Sequence, residues 1–131
     1  MDRLFLDANV LFSAAYRADN GLLRLWKLPD TTLVSSRYAL EEARVNLDRE
    51  DQRNALAQLA NDLELFEAPQ KGLRPAIRLP EKDIPIILAA IEAQATHLLT
   101  GDLQHFGSYF GKKVEGVVVI LPGEYLRLRE K

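Results

Sequence analysis

Arg3-Leu4-Phe5-Leu6-Asp7-Ala8-Asn9 is a short apolar run that stops on a carboxylate, and His97-Leu98-Leu99-Thr100-Gly101-Asp102 stops on one in the same manner. Apolar runs of this length bounded by turn-forming residues read as buried strands. An acid directly after such a strand sits at its carboxyl end, where open α/β sheets gather their ligands. Two such acids can share one site.

Outward from Asp7, the chain alternates between strand and helix patterns. Asn9 is placed to cap a helix running to Tyr16, with Leu11, Phe12 and Ala15 on one face. Residues 22–28 read as a second helix stopped by Pro29, and 32–35 as a strand. Ser36 then caps a helix reaching about Arg49, in which Leu40, Ala43 and Leu47 recur at helical spacing. Leu56, Leu59, Ala60 and Leu63 repeat that pattern over 51–65, and 65–68 read as a third strand. Residues 70–80, with Gly72, Pro75, Pro80, Lys71, Arg74 and Arg78, read as a mobile loop. Asp83 opens an apolar helix over 84–95, where Pro85 is tolerated because first-turn amides lack partners anyway. A strand at 97–100, a short helix or turn at 102–110, a β-branched strand at 117–120 and a helix at 123–129 complete the order. Alternation of this kind argues for a mostly parallel sheet with helices on both faces, because parallel neighbours need crossover connections.

At 131 residues and 47% hydrophobic content the chain is expected to form one domain, residues 1–131, with its own core. It has no cysteine, which excludes disulfides and thiolate metal clusters, and with only His97 and His105 a histidine-based zinc site is not expected. Any metal must then be held by oxygen. There is no basic-then-apolar leader and no apolar stretch of about 20 residues, so a soluble cytoplasmic protein without a membrane span is expected. The net charge of −2 lacks the global basicity of many nucleic-acid binders, so any such function must rest on local charge.

Each acid taken alone has an ordinary explanation. Asp7 and Asp83 suit helix caps, Gly101-Asp102 is a common turn dipeptide, and Glu42 beside Glu41 suits a solvated helix face. Position favours Glu42 over Glu41, because it lies about 100° round the helix and adjoins the small residues Ala39 and Ala43. Asn9 is a further cap that is also able to orient the neighbouring carboxylate, and Thr100 adds a hydroxyl. Together the four acids matter more, since close carboxylates raise one another's pKa unless a cation neutralises them, and Mg²⁺ or Mn²⁺ prefers oxygen ligands. Such a site suits phosphodiester hydrolysis: the metal polarises the phosphoryl group, helps generate hydroxide and offsets charge on the leaving oxygen.

These residues resemble the PIN-domain nucleases, and in particular the VapC-type ribonuclease toxins and their close relatives. FLDANVLFSA looks like the opening motif, with its acid on Asp7 and polar partner on Asn9. SSRYALEEARVNL looks like the second, with the acid on Glu42 and with Ser36, Glu42 and Leu47 at the family spacing. DIPIILAAIEAQATHLLTGDLQHF is similar to the third and fourth combined, placing acids on Asp83 and Asp102 with Thr100, Gly101 and Phe106 around them. The resemblance implies a three-layer α/β/α domain with a parallel five-stranded sheet of order 3-2-1-4-5 and the four acids converging over its central strands. It implies Mg²⁺- or Mn²⁺-dependent cleavage of RNA that leaves a 5′-phosphate and a 3′-hydroxyl. Asp7, Asp83 and Asp102 are then metal ligands and Glu42 a ligand or a water-orienting base. A homodimer, burying apolar faces of the helix region at 51–65, and a cognate antitoxin are further implications.

RNA approaching an acidic pocket needs flanking cations, for which Arg37 and Arg44 on the Glu42 helix and the loop residues Lys71, Arg74 and Arg78 are candidates. Tyr16, Tyr38, Phe106, Tyr109 and Phe110 are candidates for base stacking, although aromatics at helical spacing are more often core. The acidic balance keeps a second reading open, a non-catalytic RNA-binding or protein-interaction module of the same fold. A phosphotransfer enzyme using Asp7 lacks the Asp-X-Asp arrangement, because position 9 is Asn.

Overall fold

The computed structural model describes residues 1–69 and 79–130, so most of the segment expected to be a mobile loop, with Lys71, Arg74 and Arg78, lies outside the described residues. The elements run β1 (Asp2–Leu6), α1 (Ala8–Tyr16), a 3₁₀ helix (Gly21–Lys27), β2 (Thr31–Ser36), α2 (Arg37–Asn46), α3 (Glu50–Ala60) and β3 (Glu64–Phe66). After a 3₁₀ turn at Glu81–Asp83 come α4 (Ile84–Glu92), β4 (His97–Leu99), α5 (Leu103–Phe106), a 3₁₀ turn at Gly107–Tyr109, β5 (Lys113–Val114), β6 (Val117–Ile120) and α6 (Pro122–Arg129).

Leu4, Phe5 and Leu6 are fully buried, as the unbroken apolar run requires of a strand covered on both faces. β1 pairs in parallel with β2 on one side and β4 on the other, and Leu6 lies opposite Leu99. The full order is β3-β2-β1-β4-β6-β5. The chain therefore builds outward from β1 through β2 to β3, then returns to lay β4 on β1's other edge. That reversal creates a crevice at the carboxyl ends of β1 and β4. The apolar α4, with Ile86 to Ala90 all buried, packs against β2, β3 and β4, while α1 packs against α2 and α3. At the far end the Tyr125 hydroxyl donates to Asp2 Oδ2 at 2.5 Å and ties α6 back to β1.

The parallel strands follow the expected order, but among the described residues the sheet has six strands rather than five. The extra edge strand, β5, is antiparallel to β6, with Val114 opposite Val117. The two residues between them, Glu115 and Gly116, have φ of 52° and 88°. Positive φ at both central positions is the signature of a tight two-residue hairpin turn. Residues expected as a helix at 22–28 form a 3₁₀ helix instead. Asn20 caps Leu22 N at 2.7 Å, the Trp26 indole donates to Leu59 O at 3.1 Å, and Pro29 follows the helix's end. α2 stops at Asn46 and α3 at Ala60, each earlier than the periodicity suggests. α4 ends before Gln94, whose φ of 54° breaks the helical path. Among the described residues no helix is long and apolar enough to cross a membrane.

Candidate active site

Asp7 caps α1: its Oδ1 accepts the Ala8 amide at 2.6 Å. Asn9, expected as that cap, is instead inside the helix. This frees its side chain to reach across the crevice, where Nδ2 donates to Asp7 Oδ2 and to Thr100 Oγ1, each at 3.2 Å, and Oδ1 accepts the Gly101 amide at 2.8 Å. Thr100, fully buried, donates to Asp7 Oδ2 at 2.8 Å and accepts the Asp102 amide at 3.1 Å. With Asn9 counted, the hydroxyl's donor and both its lone pairs are in use. Asn9 and Thr100 thus lock together the ends of the two strands that carry Asp7 and Asp102.

A cleft of about 390 Å³ opens above this lock, and Asp7, Glu42, Asp83 and Asp102 all line it. Glu42 arrives on α2, whose buried Ala39 and Ala43 allow close approach to the core; Ala43 itself lines the cleft. Glu41 points elsewhere and makes a two-pronged contact with Arg44 at 2.5 and 2.9 Å. The choice between the adjacent glutamates therefore falls on Glu42. Asp83 occupies the cap position of α4 but makes no capping hydrogen bond. One of the amides such a cap normally engages is absent, because Pro85 has no N–H. Its carboxylate is left to the cleft.

Among the described residues, the electrostatics are those of a site short of positive charge. Burial pushes the Asp7 carboxyl up to about 6; the charges of Asp83 and Glu42 add to this, while hydrogen bonds from Thr100 and Ala8 oppose it. Asp83 is also raised, first by burial and then by Asp102, against the pull of His105 and Lys82. Tyr38, at the rim, is raised by burial and by Glu42, Asp83 and Asp7.

His105 and Lys82 are the residues the sequence reading missed. His105 Nδ1 lies 2.8 Å from Asp83 Oδ2 and 2.7 Å from Asp102 Oδ2, and the three side chains bring one donor atom each to within 4.8 Å of one another. The signal was present in the spacing: His105 follows the α5 cap Asp102 by three residues, which turns it back over the cap. Lys82 lines the cleft beside Asp83. By contrast Arg37 and Arg44 lie on another groove, with Leu40 and Leu56, and pair with Glu67 and Glu41. Of the aromatic candidates, Phe106 is fully buried and unable to stack a base, Tyr109 and Phe110 pack against the core, and Tyr16 packs on Phe12. Tyr38 is exposed, with its hydroxyl donating to Lys82 O at 2.8 Å.

The residues present fit a divalent cation. Among the described residues Asp83 Oδ2 is buried without a hydrogen-bond partner, and three further carboxylates line the same cleft. A parallel α/β sheet whose reversal point carries such a cation-seeking cluster defines the class of the protein. The sequence matches the PIN domain family over residues 3–104, and the chain belongs to that family. The PIN domain is a nuclease fold that typically uses divalent metal ions, and the matched segment contains all four cleft acids with Asn9 and Thr100. No curated protein matches the chain.

Proposed function

We propose that the protein is a Mg²⁺- or Mn²⁺-dependent endoribonuclease, a VapC-type toxin of a type II toxin–antitoxin pair, acting in the cytoplasm as a single domain over residues 1–131. The observation that carries this reading is the convergence of Asp7, Glu42, Asp83 and Asp102 on one cleft at the strand ends. Asp7, Asp83 and Asp102 are the residues to hold the ion, with Glu42 beside them as a ligand or a base. Bound there, the divalent ion polarises the phosphoryl group, assists deprotonation of water and offsets charge on the leaving oxygen. Asp7 is held in one orientation by Thr100, Asn9 and the Ala8 amide, which leaves one lone pair, on Oδ1, for an ion. Glu42, half-buried at the cleft wall, is the group to orient the attacking water and accept its proton. Lys82 is the cation placed to meet a phosphate.

The test is cleavage of single-stranded RNA by the purified chain with Mg²⁺ or Mn²⁺, scored for 5′-phosphate ends. Asp7→Asn and Asp102→Asn are expected to abolish cleavage while leaving the protein folded. Variants that cleave like the wild type would overturn the assignment. One observation favours the alternative, a non-catalytic RNA-binding or protein-interaction module: Arg37 and Arg44 are committed to Glu67 and Glu41 rather than to the cleft. RNA retention in chelator without cleavage under either ion supports that alternative. The homodimer and the antitoxin are part of the proposal, checked by light scattering and by a short partner encoded beside this chain.

A further inference from the structure

His105 is a group held against two of the cleft acids, Asp83 and Asp102, that the four-acid reading does not use. Its backbone amide donates to Asp102 Oδ1 at 3.0 Å, and its ring folds back so that Nδ1 lies 2.7 Å from Asp102 Oδ2 and 2.8 Å from Asp83 Oδ2. Both are ion-pair distances. Among the described residues, Asp83 Oδ2 and His105 Nδ1 are the buried side-chain atoms left without a hydrogen-bond partner. The Asp83 side chain is only 9% exposed, so water does not satisfy that oxygen freely. Two buried atoms 2.8 Å apart, neither with a hydrogen-bond partner, leave a place beside Asp102 that a shared cation completes.

The spacing agrees. Adjacent donors around an octahedral ion with ligand distances of about 2.1 Å stand roughly 3 Å apart, close to the separations of Nδ1 from the two carboxylate oxygens. A neutral imidazole with its proton on Nε2 offers a lone pair at Nδ1.

We propose that His105 is a nitrogen ligand of the divalent ion, together with Asp83 and Asp102, and that it selects first-row transition ions against Mg²⁺. The selectivity follows from ligand chemistry: Mg²⁺ demands oxygen and dehydrates reluctantly, whereas imidazole binds transition ions well. The inference rests on the cleft being a divalent-ion site.

The test is pulsed electron paramagnetic resonance of the full chain loaded with Mn²⁺ alone. A directly bound imidazole nitrogen is expected to give a ¹⁴N coupling in the wild type that changes on ¹⁵N-histidine labelling. It is expected to persist in His97→Gln and to vanish in His105→Gln. In calorimetry, His105→Gln is expected to weaken Co²⁺ binding about tenfold or more while changing Mg²⁺ binding less than about threefold. Mn²⁺ bound without nitrogen coupling overturns the role of His105 and leaves the acidic site standing. Mn²⁺ that does not bind at all overturns the metal-site reading itself, and the His105 inference with it.

Discussion

The Thr100 hydroxyl donates to Asp7 Oδ2 at 2.8 Å, so two residues separated by 93 positions in sequence hold the ends of β1 and β4 in one hydrogen-bonded unit. Thr100→Val removes the donor to Asp7 and the acceptor for Asn9 Nδ2 and the Asp102 amide, leaving that amide without this partner and Asp7 Oδ2 and Asn9 Nδ2 with one hydrogen bond fewer each. A loss of about 2 to 3 kcal/mol in urea unfolding is expected. Divalent-ion affinity should fall about tenfold or more, because partners that orient a ligand matter nearly as much as the ligand. Thr100→Ser restores the hydroxyl and should recover most of both. A Val variant with unchanged stability and unchanged ion binding would show that the unit is incidental.

Asp7 gives a pH dependence whose sign is fixed by its folded value of about 6 against an ordinary 3.8. The folded state holds this proton more tightly than the unfolded one. Stability associated with Asp7 is therefore full below about pH 4 and is lost as pH rises through about 6. Above that range an ionised Asp7 costs the metal-free fold about 3 kcal/mol. Asp7→Asn should flatten this slope and stabilise the metal-free protein at pH 7 by about 1 to 2 kcal/mol, the gain being reduced because an amide accepts fewer of the hydrogen bonds that Oδ2 receives. The increment from added Mn²⁺ should grow from about pH 5 to 7 in the wild type, as its ligands lose their protons. Unfolding curves in chelator and in Mn²⁺ measure all three, and an unaltered slope in Asp7→Asn would sink the linkage.

The strand positions and the acids were legible because both depend on local pattern, Leu4 to Leu6 being a continuous apolar run with an acid directly after it, whereas the sheet order came from the resemblance to a family. What escaped the sequence depends on three-dimensional competition. Asn9 read as a cap because capping residues are interchangeable in sequence, yet Asp7 takes the cap and Asn9 spans to Thr100 and Gly101. β5 is two residues long, too short for periodicity to register, and exists because Glu115 and Gly116 adopt positive φ. His105 was set aside because two histidines do not make a zinc site; its value comes from Asp83, which is brought beside it only by the fold.

Glu41 and Glu42 are adjacent, and the structure gives them opposite surroundings. Glu42 lines the cleft, whereas Glu41 is exposed and held by Arg44. Glu42→Gln should lower RNA cleavage by about a hundredfold, the usual scale of general-base loss. Glu41→Gln should leave cleavage within about twofold, because its carboxylate is exposed and held by Arg44 in an i,i+3 pair outside the cleft. Single-turnover cleavage assays on the two variants decide it. Equal losses would mean that the α2 helix, rather than the Glu42 carboxylate, is what the reaction senses.

Among the described residues Lys82 is the cation that lines the cleft, and its position is braced by the Tyr38 hydroxyl on its carbonyl. Binding of RNA to a cleft of carboxylates is opposed by charge unless a cation meets the phosphate, so Lys82 should contribute more than its exposure suggests. In an Asp7→Asn background, which keeps the RNA intact, Lys82→Ala should weaken binding several-fold. It should also reduce the dependence of log K on log salt by about 0.7, the contribution of one phosphate contact on a single strand. Arg37→Ala and Arg44→Ala should change binding less, because each already spends its charge on a glutamate and faces another groove. If instead the arginine variants carry the larger salt effect, RNA runs along the α2–α3 groove before it enters the cleft, and the path to Asp7 must be redrawn from that side.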